Sequence, residues 1–467
     1  MPSLFGTDGV RGVANATLTP EQALSIGRAG ACCLMERGAA LGEGRPFLVL
    51  GRDSRVSGEL LASAVTAGCL SVGAHVIDLG ILPTPGVAFL TGSLRAIGGV
   101  MISASHNPVD DNGIKFFDAA GYKLSRELEE AIEARIRARV DRMPRPTGDG
   151  VGRLIDGRRH VRSYADHLLG SIGGEGALSR RDGPVITVVL DAAYGATSGL
   201  AADVFRRAGA VVRPINDTPD GLRINVGCGS TNPDAVGRRV VSEKASAGLA
   251  FDGDGDRVIA VDETGQVVDG DQIMAVLALD LIARKALPKK TVVATVMSNL
   301  GLDVAVRELG GKVRRTAVGD RNVLIEMLQH GAILGGEQSG HIILLRYATT
   351  GDGILTGLHL MQVMSRTGAR LSELAAKVKK MPQVLINVSA VKKDKLETSE
   401  KVATAIERVR ESLGHAGRVL VRPSGTEPLV RIMIEGRDAR KIETMALELA
   451  GVVANELGGE VIREKEA

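Results

Sequence analysis

The chain has no tryptophan, and aromatic residues make up only 2 % of it. Platforms for single-stranded nucleic acid stack bases on aromatic rings, so that class of binder is disfavoured. An excess of charge of one sign is also missing. Lys+Arg 58 against Asp+Glu 55 leaves a net charge of +3, far from the cationic surplus that gripping a phosphate backbone requires. The short basic clusters Arg158-Arg159-His160, Arg284-Lys285 and Lys289-Lys290 read as solvated faces. Cysteine is scarce too. Cys32, Cys33, Cys69 and Cys228 show no Cys-x-x-Cys spacing and sit in apolar or Gly-rich settings, so free buried thiols in a reducing compartment are expected. No apolar run is long enough to span a bilayer. No charged segment followed by an apolar run opens the chain, so no signal peptide is expected. These absences together point to a cytoplasmic protein with neither a nucleic-acid nor a membrane partner.

What is present is an ordinary globular composition, 44 % hydrophobic and 24 % charged, over 467 residues. That length exceeds one core and calls for several domains. Thr19-Pro20-Glu21-Gln22 opens a helix with Thr19 as cap and Gln22 completing a capping box. A pattern then recurs three times. Phe47 to Gly51 reads as a strand, followed by a helix from about Gly58, a strand at Gly73 to Ile77 and a third strand at Gly98 to Ile102. Val185 to Leu190, Gly209 to Val212 and Ala247 to Phe251 repeat it. Thr291 to Val296, Gly311 to Val313 and Ala332 to Leu334 repeat it again. Strands alternating with helices predict α/β domains with mixed, largely parallel sheets. After the Pro- and Gly-rich stretch Asp141 to Arg153 and a boundary near Thr367-Gly368, the alternation changes. Leu371 to Lys380 reads as a helix, Leu385 to Val391 as a strand and Ser399 to Leu413 as an amphipathic helix. Arg418 to Val421 and Leu429 to Glu435 are further strands. This is a smaller C-terminal α+β domain, giving divisions at 1–150, 151–257, 258–368 and 369–467.

Each repeat ends in a polar loop, and ligands of such sheets bind beyond the carboxyl ends of their strands. The first loop is Ser103-Ala104-Ser105-His106-Asn107-Pro108, with Lys115 returning after an Asn112-Gly113 turn. Ser105 reads as a nucleophile or phosphoryl carrier, or else as part of a turn bonded to its own backbone. The second loop, Asp252-Gly253-Asp254-Gly255-Asp256, places carboxylates at alternate positions. Such hard oxygen ligands suit Mg²⁺, with coordination positions left for water or phosphate; an unmetallated turn is the alternative. A calcium loop would need Glu263 as its twelfth-position ligand, across the strand-like Val258 to Val261. The third loop, Glu337-Gln338-Ser339-Gly340-His341, offers a carboxylate and a hydroxyl suited to vicinal sugar hydroxyls, or is a plain polar loop. Arg422-Pro423-Ser424-Gly425-Thr426 is an anion nest for a phosphate monoester, or a turn with a surface arginine. His106 and His341 serve phosphate or acid–base contacts, or are structural; Lys115 is a base if desolvated near the metal, or an ordinary surface lysine. A phosphorylated serine beside a divalent cation is a phosphoryl donor. With a second phosphate grip elsewhere, the combination suggests moving a phosphoryl group within a sugar phosphate.

These loops, together with Phe5-Gly6-Thr7-Asp8-Gly9-Val10-Arg11-Gly12, resemble those of the α-D-phosphohexomutase superfamily along essentially the whole chain. The Gln338 form of the sugar loop favours the branch acting on glucosamine phosphate over those acting on mannose or glucose phosphates. Val109 departs from the aromatic more often found there, which concerns loop packing only. The resemblance implies four domains around a central cleft, carrying in turn the phosphoserine, metal, sugar and distal-phosphate loops. It implies that Ser105 is phosphorylated and that Asp252, Asp254 and Asp256 join its phosphate in binding one Mg²⁺. Arg11, Lys115 and His341 would assist proton transfer and charge stabilisation, with Arg257 near the metal loop and His106 at the substrate. Glu337 and Ser339 would read sugar hydroxyls, while Arg422, Ser424, Gly425, Thr426 and Arg431 hold the distal phosphate. The implied reaction interconverts glucosamine 6-phosphate and glucosamine 1-phosphate through a 1,6-bisphosphate that also serves as activator, feeding UDP-N-acetylglucosamine synthesis. A homodimer is compatible with this reading. The rivals are a metal-dependent sugar phosphatase and a sugar-phosphate sensor without turnover.

Overall fold

The structure is a computed structural model that describes residues 3–6, 8–38, 45–179, 185–389, 392, 395, 396, 398–414, 417–423 and 429–462. The chain forms two compact units, Met1–Thr295 with Leu309–Lys377, and Val296–Glu308 with Val378–Ala467.

The first unit holds three sheets. In one, Gly98–Ile102, Phe47–Arg52, His75–Ile81 and Leu154–Asp156 run parallel, and Asp111–Asp118 and then Val10–Val13 close one edge antiparallel. In the second, Ala247–Phe251, Thr187–Asp191 and Val211–Ile215 are parallel, with Val258–Asp262 returning antiparallel beside Ala247–Phe251. In the third, Lys312–Thr316, Thr291–Thr295 and Leu334–Gly336 are parallel, and Ile342–Leu344 returns beside Leu334–Gly336. Central strands such as Gly98–Ile102 and Thr291–Thr295 are buried at every residue, which is why they read as unbroken apolar runs. The antiparallel return is the feature that matters for function. Each of the three polar loops is the connection of a hairpin that leaves a buried parallel strand and comes back along its edge.

Three local expectations are corrected by pairing. Leu4 to Arg11 is too Gly-rich to predict a regular element, yet Val10–Val13 is an edge strand whose Arg11 pairs with Gly113. Asn112-Gly113 is not a turn but lies inside the strand Asp111–Asp118. The third-repeat strand expected at Ala332 to Leu334 runs instead over Leu334–Gly336. A Cβ at Gly335 would meet Met327 Sδ at 2.6 Å and the Val293 carbonyl oxygen at 2.9 Å, so the two glycines let the strand pack where sequence reads only flexibility. The expected helix Leu371 to Lys380 is shorter, Leu371–Ala375, and belongs to the first unit, which runs to Lys377. The capping box at Thr19 forms as predicted, with Thr19 N–H on Gln22 Oε1 at 3.2 Å and Gln22 N–H on Thr19 Oγ1 at 3.4 Å.

The second unit carries an antiparallel sheet in the order Gly417–Pro423, Leu429–Gly436, Gln383–Ser389, Val461–Ile462. The helices Glu400–Leu413 and Ala439–Leu457 bury their apolar faces with it, Val402, Ile442, Leu449 and Val453 among them. This is the α+β arrangement expected.

One buried pair in the first unit has a testable pH signature. Asp352 caps the helix Gly353–Thr367 through Leu355 N–H at 2.9 Å and accepts from Tyr164 Oη at 2.8 Å. Burial lifts its carboxyl from 3.8 to about 6, although both hydrogen bonds pull the other way. The folded state therefore retains a proton that the unfolded chain releases near pH 4, so this group's stabilising contribution is full below about pH 4 and lost as pH rises to about 6. The loss is on the order of 2–3 kcal/mol. Thermal unfolding of wild type and Asp352→Asn, compared between pH 4 and 7, should show the variant gaining relative stability across that window. Parallel pH dependence in the two proteins would refute the assignment.

Candidate active site

Ser105 lies at the tip of the first hairpin with a left-handed backbone, φ 53. Its Oγ donates to Asp252 Oδ2 at 2.5 Å and lies 3.2 Å from His106 Nδ1. Two loops 147 residues apart in sequence are thus joined through the candidate carrier oxygen. They also meet through backbone: a Cβ at Gly253 would stand 2.6 Å from the Ser105 carbonyl oxygen, so the glycine is needed for close approach. Burial, then the cation of Arg257, lowers the His106 ring to about 4. It is neutral at neutral pH and meets Ser105 as a hydrogen-bonding group.

The carboxylates of Asp252, Asp254 and Asp256 are buried and present oxygens within 4.8 Å of one another. Asp254 Oδ2 accepts from Thr84 Oγ1 at 2.6 Å and from Lys115 Nζ at 2.9 Å. Its Oδ1, like Asp256 Oδ1, is buried with no hydrogen-bond partner among the described residues. Two orphaned carboxylate oxygens beside a third carboxylate fit a hard divalent cation. Burial first, then Asp256 and Asp254, push the Asp252 carboxyl well above its ordinary range, a strain that a bound cation would relieve. The calcium-loop alternative fails on Glu263. Its carboxylate is turned away to Ser372, accepting from the Ser372 N–H at 3.2 Å and from its hydroxyl.

Lys115 is no surface residue: its side chain is 2 % exposed and is paired with Asp254 at 2.9 Å and Asp8 at 3.0 Å. Burial disfavours its charge, but Asp254 and Asp8 outweigh burial and raise its pKa. The two carboxylates therefore favour the ammonium form of Lys115. His341 is likewise raised, burial being overcome by Asp256 at 3.5 Å and Asp320 at 4.0 Å.

A cleft of about 450 Å³ opens onto these groups, lined by Asp8, Arg11, His106, Asp256, Arg257, Glu337 and His341 among others. That volume suits a small polar ligand. The Nε–H groups of Arg11 and Arg257 are buried without a hydrogen-bond acceptor among the described residues, which suits an incoming anion. Glu337 takes the Gly319 N–H on one oxygen at 3.0 Å, and Ser339 is exposed on the same loop. Gln338, the residue that distinguishes this loop, turns away from the cleft toward Asp269 Oδ2 at 3.3 Å, where it ties the loop to the capping box of the helix Gly270–Ala283.

Several members of the site escaped the sequence reading. Asp8 pairs with Arg11, Lys115 and Lys123, and Lys123 also pairs with Asp320. Asp8 stood inside the quoted Phe5–Gly12 stretch, three residues before Arg11. Asp320 follows Gly319 just after the strand Lys312–Thr316, the end of a parallel strand where ligands are to be sought. Lys123 carried no local signal.

In the second unit, Arg422 and Arg431 are register partners on neighbouring antiparallel strands. Burial, then the charge of Arg431, lowers the Arg422 pKa, and Arg422 Nε is buried without an acceptor among the described residues. Like charges set opposite each other repel, and an anion between them would lessen that repulsion. Ser424, Gly425 and Thr426 lie outside the described residues.

Comparison with known proteins adds a consistent set of likenesses. Models of the phosphoglucomutase/phosphomannomutase α/β/α domains I, II and III match residues 2–142, 162–265 and 269–381, and the model of the C-terminal domain matches 385–452. The phosphoglucosamine mutase of Moorella thermoacetica is 51 % identical over 454 residues, covering 97 % of this chain and 100 % of that protein. That of Thermobifida fusca is 52 % identical over 457 residues, covering 98 % and 99 %. Among solved structures, a phosphoglucomutase/phosphomannomutase family protein from Burkholderia thailandensis superposes with a TM-score of 0.82 at 25 % identity, over 99 % of this chain and 100 % of that one. N-acetylphosphoglucosamine mutase from Aspergillus fumigatus, solved with GlcNAc-6P and magnesium, shares the fold with a TM-score of 0.69 at 19 % identity, over 97 % and 96 %.

Proposed function

Because the chain belongs to the phosphoglucomutase/phosphomannomutase family, we propose that its site interconverts glucosamine 6-phosphate and glucosamine 1-phosphate through phosphorylated Ser105 and a 1,6-bisphosphate intermediate. It is an isomerase of the phosphohexomutase kind, as are the phosphoglucosamine mutases half identical to it over their full length. The observation that carries the residue assignment is the convergence of Ser105 Oγ with the three buried carboxylates. Mg²⁺ held by Asp252, Asp254, Asp256 and the phosphate on Ser105 would neutralise charge on the phosphoryl oxygens.

The remaining work falls to the chain itself. Arg11 and Arg257 offer phosphate oxygens their Nε–H groups, which make no hydrogen bond among the described residues, and Lys115 adds a positive charge. Transfer breaks the P–O bond to Ser105 and forms one to a sugar hydroxyl; the hydroxyl's proton passes to a carboxylate paired with Lys115 or His341, and the released Ser105 oxygen takes a proton from the same cluster. Glu337, with one oxygen tied to Gly319, presents the other to sugar hydroxyls alongside Ser339. Turning the bisphosphate and repeating the transfer in reverse restores phosphoserine. Arg422 and Arg431, with Ser424, Gly425 and Thr426, are assigned to the phosphate that is not reacting. The bisphosphate doubles as activator. The free buried cysteines suit the cytoplasm, and no helix among the described residues is long and apolar enough to cross a membrane.

The assay that separates this reading from its rivals uses the distal grip. Arg422→Ala loses charge-assisted hydrogen bonds worth about 1.5–3 kcal/mol. KM should rise, kcat should fall, and more bisphosphate should escape between the two transfers. Conversion of glucosamine 6-phosphate with a trace of bisphosphate is followed together with free bisphosphate and inorganic phosphate. Unchanged kinetics in Arg422→Ala, or inorganic phosphate as the main wild-type product, would refute the two-phosphate mutase. Faster turnover of mannose or glucose phosphates would overturn the substrate alone.

A further inference from the structure

We propose that Arg55 and Asn225 are positioning residues for the phosphoryl carrier. Together they clamp the Ser105 carbonyl and hold Ser105 in the left-handed conformation that aims its Oγ at Asp252. The inference rests on the mutase reading above. A non-glycine residue with φ 53 is disfavoured by sterics and persists only where its surroundings impose it.

Here they do so on both sides of the residue. The Ser105 N–H donates to Ser103 Oγ at 2.9 Å, and Ser103 Oγ donates to Asp53 Oδ2 at 2.6 Å. Asp53 Oδ2 accepts from Arg55 Nε at 3.0 Å, and Arg55 Nη2 donates to the Ser105 carbonyl at 3.0 Å. The chain of bonds closes on Ser105 as a ring. The other three N–H groups of Arg55 go to the carbonyls of Asn107 (2.8 Å), Asp111 (3.0 Å) and Pro108. All five guanidinium donors are thus engaged, and the side chain is fully buried. Lysine, with three donors and no planar fork, cannot replace it.

The second acceptor site of the Ser105 carbonyl is filled from the metal-loop side, by Asn225 Nδ2 at 2.9 Å. Asn225 is itself held, its N–H donating to the Ala193 carbonyl at 3.1 Å. Neither side chain lines the cleft, so neither reaches substrate, and both act through Ser105. The clamp also couples two sheets of the first unit. The hairpin bearing the carrier and the segment preceding the metal loop are locked at the one peptide whose orientation sets the distance from Oγ to the carboxylates.

The test uses the full chain with Asn225→Ala, which removes one donor and leaves the Arg55 ring intact. A carrier displaced by about an ångström should lower kcat about 10- to 100-fold, while KM stays within about twofold because substrate contacts are untouched. The thermal midpoint should stay near wild type. The phosphoserine resonance in phosphorus NMR should shift or broaden, which simple loosening elsewhere would not cause. Arg55→Lys should show a larger fall in kcat of the same kind; should it fail to fold, Asn225→Ala decides. A folded Asn225→Ala with wild-type kcat, or with raised KM and unchanged kcat, overturns the inference. Wild-type protein assayed in parallel separates the two levels: no conversion by it overturns the mutase reading as well.

Discussion

Ser105→Ala is expected to lower turnover about 10⁴-fold or more, since residues that act as one catalytic unit cannot stand in for the missing nucleophile. The same change should erase the single phosphate from the intact mass of the protein. Its effect on stability should be small. Among the described residues the hydroxyl bonds only to Asp252 and His106, whereas the backbone of the residue is held through its N–H and carbonyl. A methyl group leaves those bonds in place, and the loss of one or two side-chain hydrogen bonds costs about 1 kcal/mol. A variant that unfolds would show that the hydroxyl is structural. One that folds and turns over at the wild-type rate would show that the phosphoryl group travels by another route.

Asp254→Asn should have the second-largest effect, for two reasons read from its two oxygens. Oδ1 is a buried oxygen with no hydrogen-bond partner among the described residues, the kind of ligand a divalent cation takes, and Oδ2 is the acceptor for Thr84 and Lys115. An amide removes a charge from the candidate metal site. It also sets either an NH₂ group against the Lys115 ammonium or a donor where a metal ligand is needed. Mg²⁺ affinity, measured by titration calorimetry, should drop sharply. Transfer should slow about 100- to 1,000-fold or more, the range seen when a preorganised charge-stabilising group is lost. The variant should also be less stable, because the buried Lys115 loses one of the two carboxylates paired with it among the described residues. Wild-type Mg²⁺ affinity in Asp254→Asn, or full wild-type rates in a strong chelator, would rule out the assignment.

The hydrogen-bonding pattern around Ser105 explains why activity and stability separate in the first variant and join in the second. Ser105 is presented by its scaffold and contributes little to it. Asp254 is both a candidate ligand and the counterion of a buried lysine. Substitutions in the clamp at Arg55 fall between these limits, since its guanidinium holds loop carbonyls while touching nothing in the cleft.

By itself the sequence determined what depends on neighbours within a few residues. The apolar runs ending at Ile102 and Phe251, the capping box at Thr19, the helix starting after Ser399 and the alternating carboxylates of Asp252 to Asp256 all follow from short-range sterics, hydrogen bonding and periodicity. So does the placement of functional loops at strand ends, which marks Ser105, the three aspartates, Glu337 and His341 as candidates. Tertiary structure decided what depends on partners far along the chain. Asn112-Gly113 is a turn signal in isolation, but strand because Met101 and Ile102 pair with its neighbours Lys115 and Ile114. Lys115 is buried in an ion pair, where sequence also allowed a surface lysine, only because Asp254 is brought to it from 139 residues away. Asp8, Lys123 and Asp320 form one charge chain across separations of 115 and 197 residues. Arg55 closes its ring on Ser105 from 50 residues upstream. A side chain's type limits which bonds it can make, but sheet order and register select which partner arrives, and no local pattern encodes that choice.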